Sequence, residues 1–429
     1  MHFLNKKLIL KNQRHISKYK DMQIQESIND NKYYIEKGTK KFIEVTISFF
    51  LAGFATFSIL YCVQPILFLF SKSFSLSPAE SSLSLSSSTA MMAIGMLFTG
   101  PLSDRIGRKK VMSISLLLAT FFTFCCSQMS SWENIIFMRA LTGLALSGVA
   151  AVAMTYLSEE IHPSTLSFSM GLYISGNTIG GFFGRFLSSF LAESFSWRLA
   201  LEWISILAFI FSVFFIYLLP HSENFRSVSL HPRKIFTHFI LQWKNPVLSK
   251  LFMMGFLLMG SFITIFNYIG YRLLSKPFYV DHNTIGMLSI IYLIGVYSSP
   301  KAGILIKKYT KGIMLISSLI MMIIGILISQ WNEIILVVLG LIFFAAGFFA
   351  AHSVTSTWIG QYGNNNKGYT SSIYLFSYYL GSSVLGTISG MFWIMGKWIG
   401  ISVFVIIALC IGIILAIRLN SITYNIRKQ

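Results

Sequence analysis

The sequence predicts an all-α membrane protein: twelve transmembrane helices in two pseudosymmetric six-helix bundles. Three observations point there. Only 11% of the 429 residues are charged and 54% are hydrophobic, whereas about a quarter of a soluble chain is charged. Apolar runs of about 20 residues, long enough to span a bilayer, recur along nearly the whole chain. A charged loop near residue 100 has a counterpart near residue 303. A large soluble enzyme with buried helices would not carry so many bilayer-length runs.

Taken in order, the runs place spans at 43–70, 80–102, 111–129, 133–157, 165–191 and 198–219. Six more follow at 247–274, 283–306, 312–329, 332–358, 369–394 and 398–418. Residues 1–42 read as a basic cytoplasmic tail, too polar to hold the apolar core of a cleavable leader. Residues 43–219 form the first bundle, 220–246 a polar cytoplasmic linker, 247–418 the second bundle and 419–429 a cytoplasmic tail.

The net charge of +19 would suggest nucleic acid in a soluble protein. Here the bases cluster between apolar runs, so they read as topology and no nucleic-acid partner is expected. With the amino terminus inside, short inner loops hold Arg105, Arg108, Lys109 and Lys110, then Lys307, Lys308 and Lys311. The outer loops hold only Lys72, Arg198, Lys276 and Lys397. By the positive-inside rule both termini are cytoplasmic. Cys62, Cys125, Cys126 and Cys410 lie in apolar runs without zinc or redox spacing, and they read as small hydrophobes. No metal and no cofactor are expected.

The loop after the second span runs Gly100-Pro101-Leu102-Ser103-Asp104-Arg105-Ile106-Gly107-Arg108-Lys109-Lys110. An acid and several bases beside lipid are costly unless they pair or face water. Gly303-Ile304-Leu305-Ile306-Lys307-Lys308-Tyr309-Thr310-Lys311 repeats it at an offset of 203, with Lys307 in place of the acid. Trp398 likewise answers Trp197.

The first of these loops resembles the signature of the major facilitator superfamily. Arg139-Ala140-Leu141-Thr142-Gly143 resembles the family's intramembrane arginine motif. Gly171 through Gly184 resembles its glycine-rich antiporter motif, without the proline usual in that core. Tyr61-Cys62-Val63-Gln64-Pro65 and Tyr374-Leu375-Phe376-Ser377-Tyr378-Tyr379-Leu380-Gly381 look like the YnfM-type branch of bacterial inner-membrane transporters. The resemblance covers about residues 40 to 418. It implies rocking of two repeated halves about a site near the bilayer midplane.

On that resemblance the gating residues are Gly100, Asp104, Arg105, Gly107 and Arg108, with Gly303, Lys307 and Lys308 in the second half. Asp104 would meet the start of span eleven when the inner side closes; alternatively the loop is only a topology signal. Arg139 faces the central cavity or a partner, with the family motif implying a part in proton coupling, or else it snorkels outward. His352 is the second coupling candidate, or else a hydrogen-bonded core group. Spans one, four, seven and ten would line the cavity with Tyr61, Gln64, Asn267, Tyr268 and Tyr271, joined by Asn177 and Tyr378 from spans five and eleven. The competing reading is polar glue between helices. Gly176, Gly180, Gly181 and Gly184 would let span five pack closely. Arg185 and Arg272 read as snorkelling residues near the outer ends of their spans.

The function expected is proton-linked export of a small organic solute across the bacterial inner membrane, by a monomer in the bilayer. Uptake by symport and passive uniport are the alternatives. No phosphate loop for an ATP-driven pump and no convincing nucleophile or metal motif for an enzyme is legible. A receptor or channel would leave the paired loop signatures unexplained.

Overall fold

The computed structural model describes residues 33–225, 227, 232–306, 308–362 and 367–428, and all its long elements are helices. Among the described residues, ten helical stretches are long and apolar enough to cross a membrane. One of them, Thr370–Ile422, contains the last two predicted spans, separated where Gly396 and Lys397 leave helical geometry. Pro163–Ser194, rich in glycine and serine, is the fifth span. The chain is therefore an all-helical, multi-pass membrane protein with the twelve spans its hydropathy predicts.

Helix starts follow local chemistry. Thr39, Ser77, Ser131, Ser196, Asp281 and Thr310 each cap a helix by accepting an amide hydrogen from its first turn, which satisfies groups that would otherwise be orphaned. Ser77 and Glu80 form a reciprocal capping box. Asp281, outside the membrane, accepts from the Thr284 amide and hydroxyl, which hold its carboxyl below the usual range.

The first span and the linker differ from the sequence reading. The first span is not one helix: Lys40–Tyr61 stops, a single tight turn covers Gln64–Ile66, and Leu67–Phe74 continues. Pro65 is the cause, because it supplies no N–H to the helical ladder. The linker is also not purely polar loop. It contains a helix, Pro232–Lys244, whose Phe239 meets Phe376 (centroids 5.7 Å apart) and whose Trp243 meets Phe252 (5.3 Å).

In the first half, span one packs on span five, span two on span four, and span three on spans four and six. In the second, span seven packs on span eleven, and span ten on spans eight and nine. The halves meet through span two against span eleven and span five against span eight. Large apolar side chains such as Phe98, Phe121, Phe137 and Ile335 point outward, the arrangement that suits a lipid solvent.

Candidate functional site

The charged loop of the first half is built around Arg108, which is 7% exposed. Its Nε and Nη2 donate to the two oxygens of Glu159 at 3.1 and 2.8 Å. Its Nη1 reaches Ser103 Oγ at 2.6 Å and also pairs with Asp104. Such a two-pronged guanidinium–carboxylate pair fixes orientation as well as charge. Gly107 joins spans two and three at φ +103°, a backbone geometry that residues with a Cβ rarely adopt. Arg105 is exposed.

Glu159 escaped the sequence reading. Its signal was an acidic pair, Glu159-Glu160, closing span four at the end where the bases cluster. The two acids act separately. The Glu160 carboxylate is buried and accepts from Ser222 Oγ (2.5 Å), the Glu223 amide (3.1 Å) and the Asn224 amide (2.9 Å). It thereby fastens the start of the linker to the first half.

Asp104 bonds within its own half here; the side chains of 361–369, between span ten and span eleven, lie outside the described residues. Lys307 also lies outside them. Lys308 sits over the Tyr309 ring at 5.4 Å. A Cβ added to Gly100 or Gly303 would meet no atom within 4 Å, so packing does not demand glycine at either position in this conformation.

Arg139 is fully buried and faces partners in neighbouring helices rather than snorkelling. Its Nε donates to the Ser84 carbonyl (3.0 Å), Nη1 to that of Ile59 (3.0 Å) and Nη2 to that of Leu60 (2.8 Å). Ile59 and Leu60 end the first helix just before the Pro65 break, where carbonyls lack helical partners. The cation also sits at the negative end of that helix's dipole.

Arg185 is not a snorkelling residue either; that expectation is overturned. It lies nine residues before the end of its helix at Ser194, about 14 Å along the axis, and it is 5% exposed. Its guanidinium lies between the Tyr61 ring (4.1 Å) and the Tyr292 ring (4.3 Å). Nε donates to Gln64 Oε1 at 2.6 Å and Nη1 to the Gly181 carbonyl at 2.7 Å. Gln64 Nε2 in turn donates to Asn267 Oδ1 at 2.8 Å. Distance to the nearest span end misled the sequence reading, because it cannot report which neighbours enclose a side chain. Arg272 is buried as well, spending its donors on the carbonyls of Ser329, Gln330 (3.1 Å) and Trp331 (2.9 Å).

Of the other cavity candidates, Tyr271 joins the halves by hydrogen bonds to Ser71 (2.7 Å) and Ser81 (2.6 Å). Tyr268 is buried and stacks on Trp393. His352 Nδ1 lies 2.7 Å from Tyr374 Oη, and its ring centroid is 4.8 Å from that of Tyr378. An aromatic series links this histidine to the arginine: Phe348 stacks between His352 and Phe262, and Phe262 meets Tyr292 at 5.2 Å. Asn177 is not part of this group; its Oδ1 packs against Gly53 of span one. Gly176, Gly180 and Gly184 face the same span, where an added Cβ would lie 2.2–2.6 Å from backbone atoms of Phe50, Phe54 and Ser58. Gly181 instead lies beside Arg185.

Sequence and structure comparisons agree with this architecture. Residues 47–384 match the model of the Major Facilitator Superfamily. The chain is 72% identical to an uncharacterized transporter of Buchnera aphidicola subsp. Baizongia pistaciae, over 91% of this chain and 97% of that one. It is 52% identical to the inner membrane transport protein YnfM of Escherichia coli, over 92% of this chain and 95% of that one. Among solved structures, the inward-open form of the xylose transporter XylE from E. coli has the same fold, with a TM-score of 0.71 at 15% identity, over 88% of this chain and 95% of that one.

Proposed function

The chain belongs to the Major Facilitator Superfamily, and from that premise we propose that it exports a small organic solute across the inner membrane by proton-linked alternating access. Residues 43–219 and 247–418 are the two moving halves, with both termini in the cytoplasm. The observation that carries the reading is where the halves touch. Gln64 meets Asn267, six residues before the end of span seven at Leu273. Tyr271 meets Ser71 and Ser81, and the Asn283 amide meets Glu193, towards the end opposite the termini. The charged loop around Arg108, at the terminal end, bonds within its own half. Halves joined at one end and separately braced at the other fit a carrier open to the cytoplasm, which would reverse by exchanging these contacts.

Proton linkage rests on His352, a titratable group bonded to Tyr374 and stacked in the aromatic wall. Arg139, with its donors committed to carbonyls, braces the break in span one. A second reading, passive uniport, is favoured by the acids: Glu44, Glu80, Glu193 and Glu202 all lie near span ends. Metabolite profiling of a deletion strain identifies the solute, and reconstituted vesicles test the coupling. Under the proposal the deletion strain accumulates a solute, an imposed pH gradient drives its movement, and His352→Gln loses the gradient response while keeping solute exchange. Equal transport with and without the gradient would establish uniport, and lost growth on one solute would establish uptake.

A further inference from the structure

We propose that the solute is an organic anion, a carboxylate on an apolar or aromatic body, and that Arg185 receives the carboxylate at the junction of the two halves. This rests on the transporter reading and adds the substrate class.

The hydrogen-bond network around Arg185 has one reading. A guanidinium only donates, so Gln64 must turn its amide oxygen towards Arg185 Nε. Gln64 then presents its NH₂ to Asn267, which must offer Oδ1 in return. The amide orientations of both residues are thereby fixed by the network. Asn267 Nδ2 is left over, buried and without a partner, and Ser86 Oγ, near the same Gly386 position, is also unpartnered. Arg185 Nη2 has no hydrogen-bond partner among the described residues, since its two bonds use Nε and Nη1. The cluster thus holds more donors than acceptors, and its charge is uncompensated.

Comparison with the other enclosed arginines sharpens this. Arg139 and Arg272 each give their donors to three backbone carbonyls. Arg108 holds two carboxylates. Arg185 has one carbonyl, one amide oxygen and two aromatic faces, and no carboxylate is paired with it among the described residues. A buried cation left in this condition is unfavourable unless an anion joins it. A guanidinium edge matches a carboxylate in a planar, two-pronged geometry. Tyr61 from the first half and Tyr292 from the second clamp the cation, so an anion arriving here touches both moving parts. Phe262 and Phe348 continue the ring wall beyond Tyr292 towards His352, which suits an apolar or aromatic body.

The test uses the purified full-length protein in detergent, with no gradient, so its outcome is independent of proton linkage and of direction. The probes are matched pairs of acid and amide: benzoate with benzamide, phenylacetate with phenylacetamide, hexanoate with hexanamide. Each is titrated against the thermal midpoint, which rises when a ligand binds the folded state. At least one acid should raise the midpoint while its amide does not. Arg185→Gln should abolish that difference and Arg185→Lys should retain part of it. Should Arg185→Gln fold poorly, Asn267→Asp serves instead: it adds a negative charge beside Gln64 and should raise the half-saturating acid concentration at least tenfold. Equal responses to acid and amide, no response to any acid, or an undiminished acid response in both Arg185→Gln and Asn267→Asp would each overturn the proposal. Failure of the pH-gradient experiment would leave this result untouched.

Discussion

The two halves share their packing and differ in their charges. Span five approaches span one through Gly180, and span eleven approaches span seven through Gly381; an added Cβ would lie 2.2 Å from the Phe54 carbonyl oxygen in one and 2.0 Å from that of Phe256 in the other. Both halves also close their third helix with an arginine lying over a tryptophan. Arg198, over Trp197, donates to the carbonyls of Ser127 and Met129. Arg272, over Trp398, donates to those of Ser329, Gln330 and Trp331. The same end of the same helix is satisfied from span six in one half and from span seven in the other. The repeated fold therefore preserves a physical requirement, a cation at a helix carboxyl end, rather than a residue position.

The asymmetries fall where the halves act differently. The first half breaks span one at Pro65 and satisfies the freed carbonyls with Arg139. The second keeps span seven continuous over Leu248–Leu273 and instead tightens span eight between Leu288 and Leu293. The first half's loop is an ion-pair cluster, whereas in the second Lys308 lies over Tyr309 and Lys311 over Trp358. Fixed charge is concentrated in one half and aromatic surface around the other's spans seven, eight and ten. A carrier whose halves differ in this way has one arm that holds a charged group and another that stacks on it.

The largest break in this comparison comes at Arg139. Replacing it by leucine removes three hydrogen bonds, to the carbonyls of Ser84, Ile59 and Leu60, in a buried site. Each unmade bond costs about 1–3 kcal/mol, so Arg139→Leu should destabilise the protein by about 3 kcal/mol or more. Ile342 lies at the offset that relates the two loop signatures and braces no break; Ile342→Leu should cost under about 1.5 kcal/mol. Thermal midpoints of the two purified variants check this. An Arg139→Leu protein that melts with the wild type would mean the break in span one is satisfied by other groups.

What could be read beforehand follows the same division. Periodicity and length disclosed the spans, because lipid demands long apolar helices everywhere. The loop signatures disclosed the repeat, because their residues are close in sequence. The candidate site was legible only in part. Gln64, Asn267, Tyr61 and Tyr271 were read from polarity in apolar runs, and the structure gathers them between the halves. Arg185 was misread and Glu159 was missed, because each depends on partners 50 or more residues away: Arg185 on Gln64, Glu159 on Arg108. Asn177 was polar and well placed, yet it turns towards Gly53; one-dimensional position does not say which face of a helix meets which neighbour.

The glycine contacts give a smaller effect that tests the symmetry itself. Alanine at Gly180 or Gly381 puts a methyl group inside van der Waals distance of a backbone carbonyl, and backbone moves less readily than a side chain. Overpacking of this kind costs about 1–3 kcal/mol. The two variants should lose similar stability, and each should slow transport if the pairs slide during rocking. One neutral variant beside one damaged variant would show that the matching glycines no longer do matching work.

The smallest effect on stability, and the sharpest on function, is expected at the loop acids and bases. Asp104 is partly exposed, and Arg108 keeps its two-pronged contact with Glu159 if Asp104 is neutralised. Asp104→Asn should therefore cost under about 1 kcal/mol of stability. Its effect on turnover should be larger. In the closed-inward state the carboxylate is expected to lie against the start of span eleven, where a negative charge is stabilised by the helix dipole by about 0.3–1 kcal/mol or more. Removing the charge leaves the fold intact and shifts the balance towards the cytoplasm-open state. Lys307 stands where the second half would need an acid, so that half cannot make the matching contact, and Lys307→Asn should slow turnover less. The measurements are transport per folded molecule and cysteine crosslinking between the terminal ends of spans two and eleven. Reduced crosslinking in Asp104→Asn with unchanged melting is the expected result. Unchanged turnover and crosslinking would leave the loop with orientation in the membrane as its role, and an equal loss in Lys307→Asn would mean that the second loop gates through its bases.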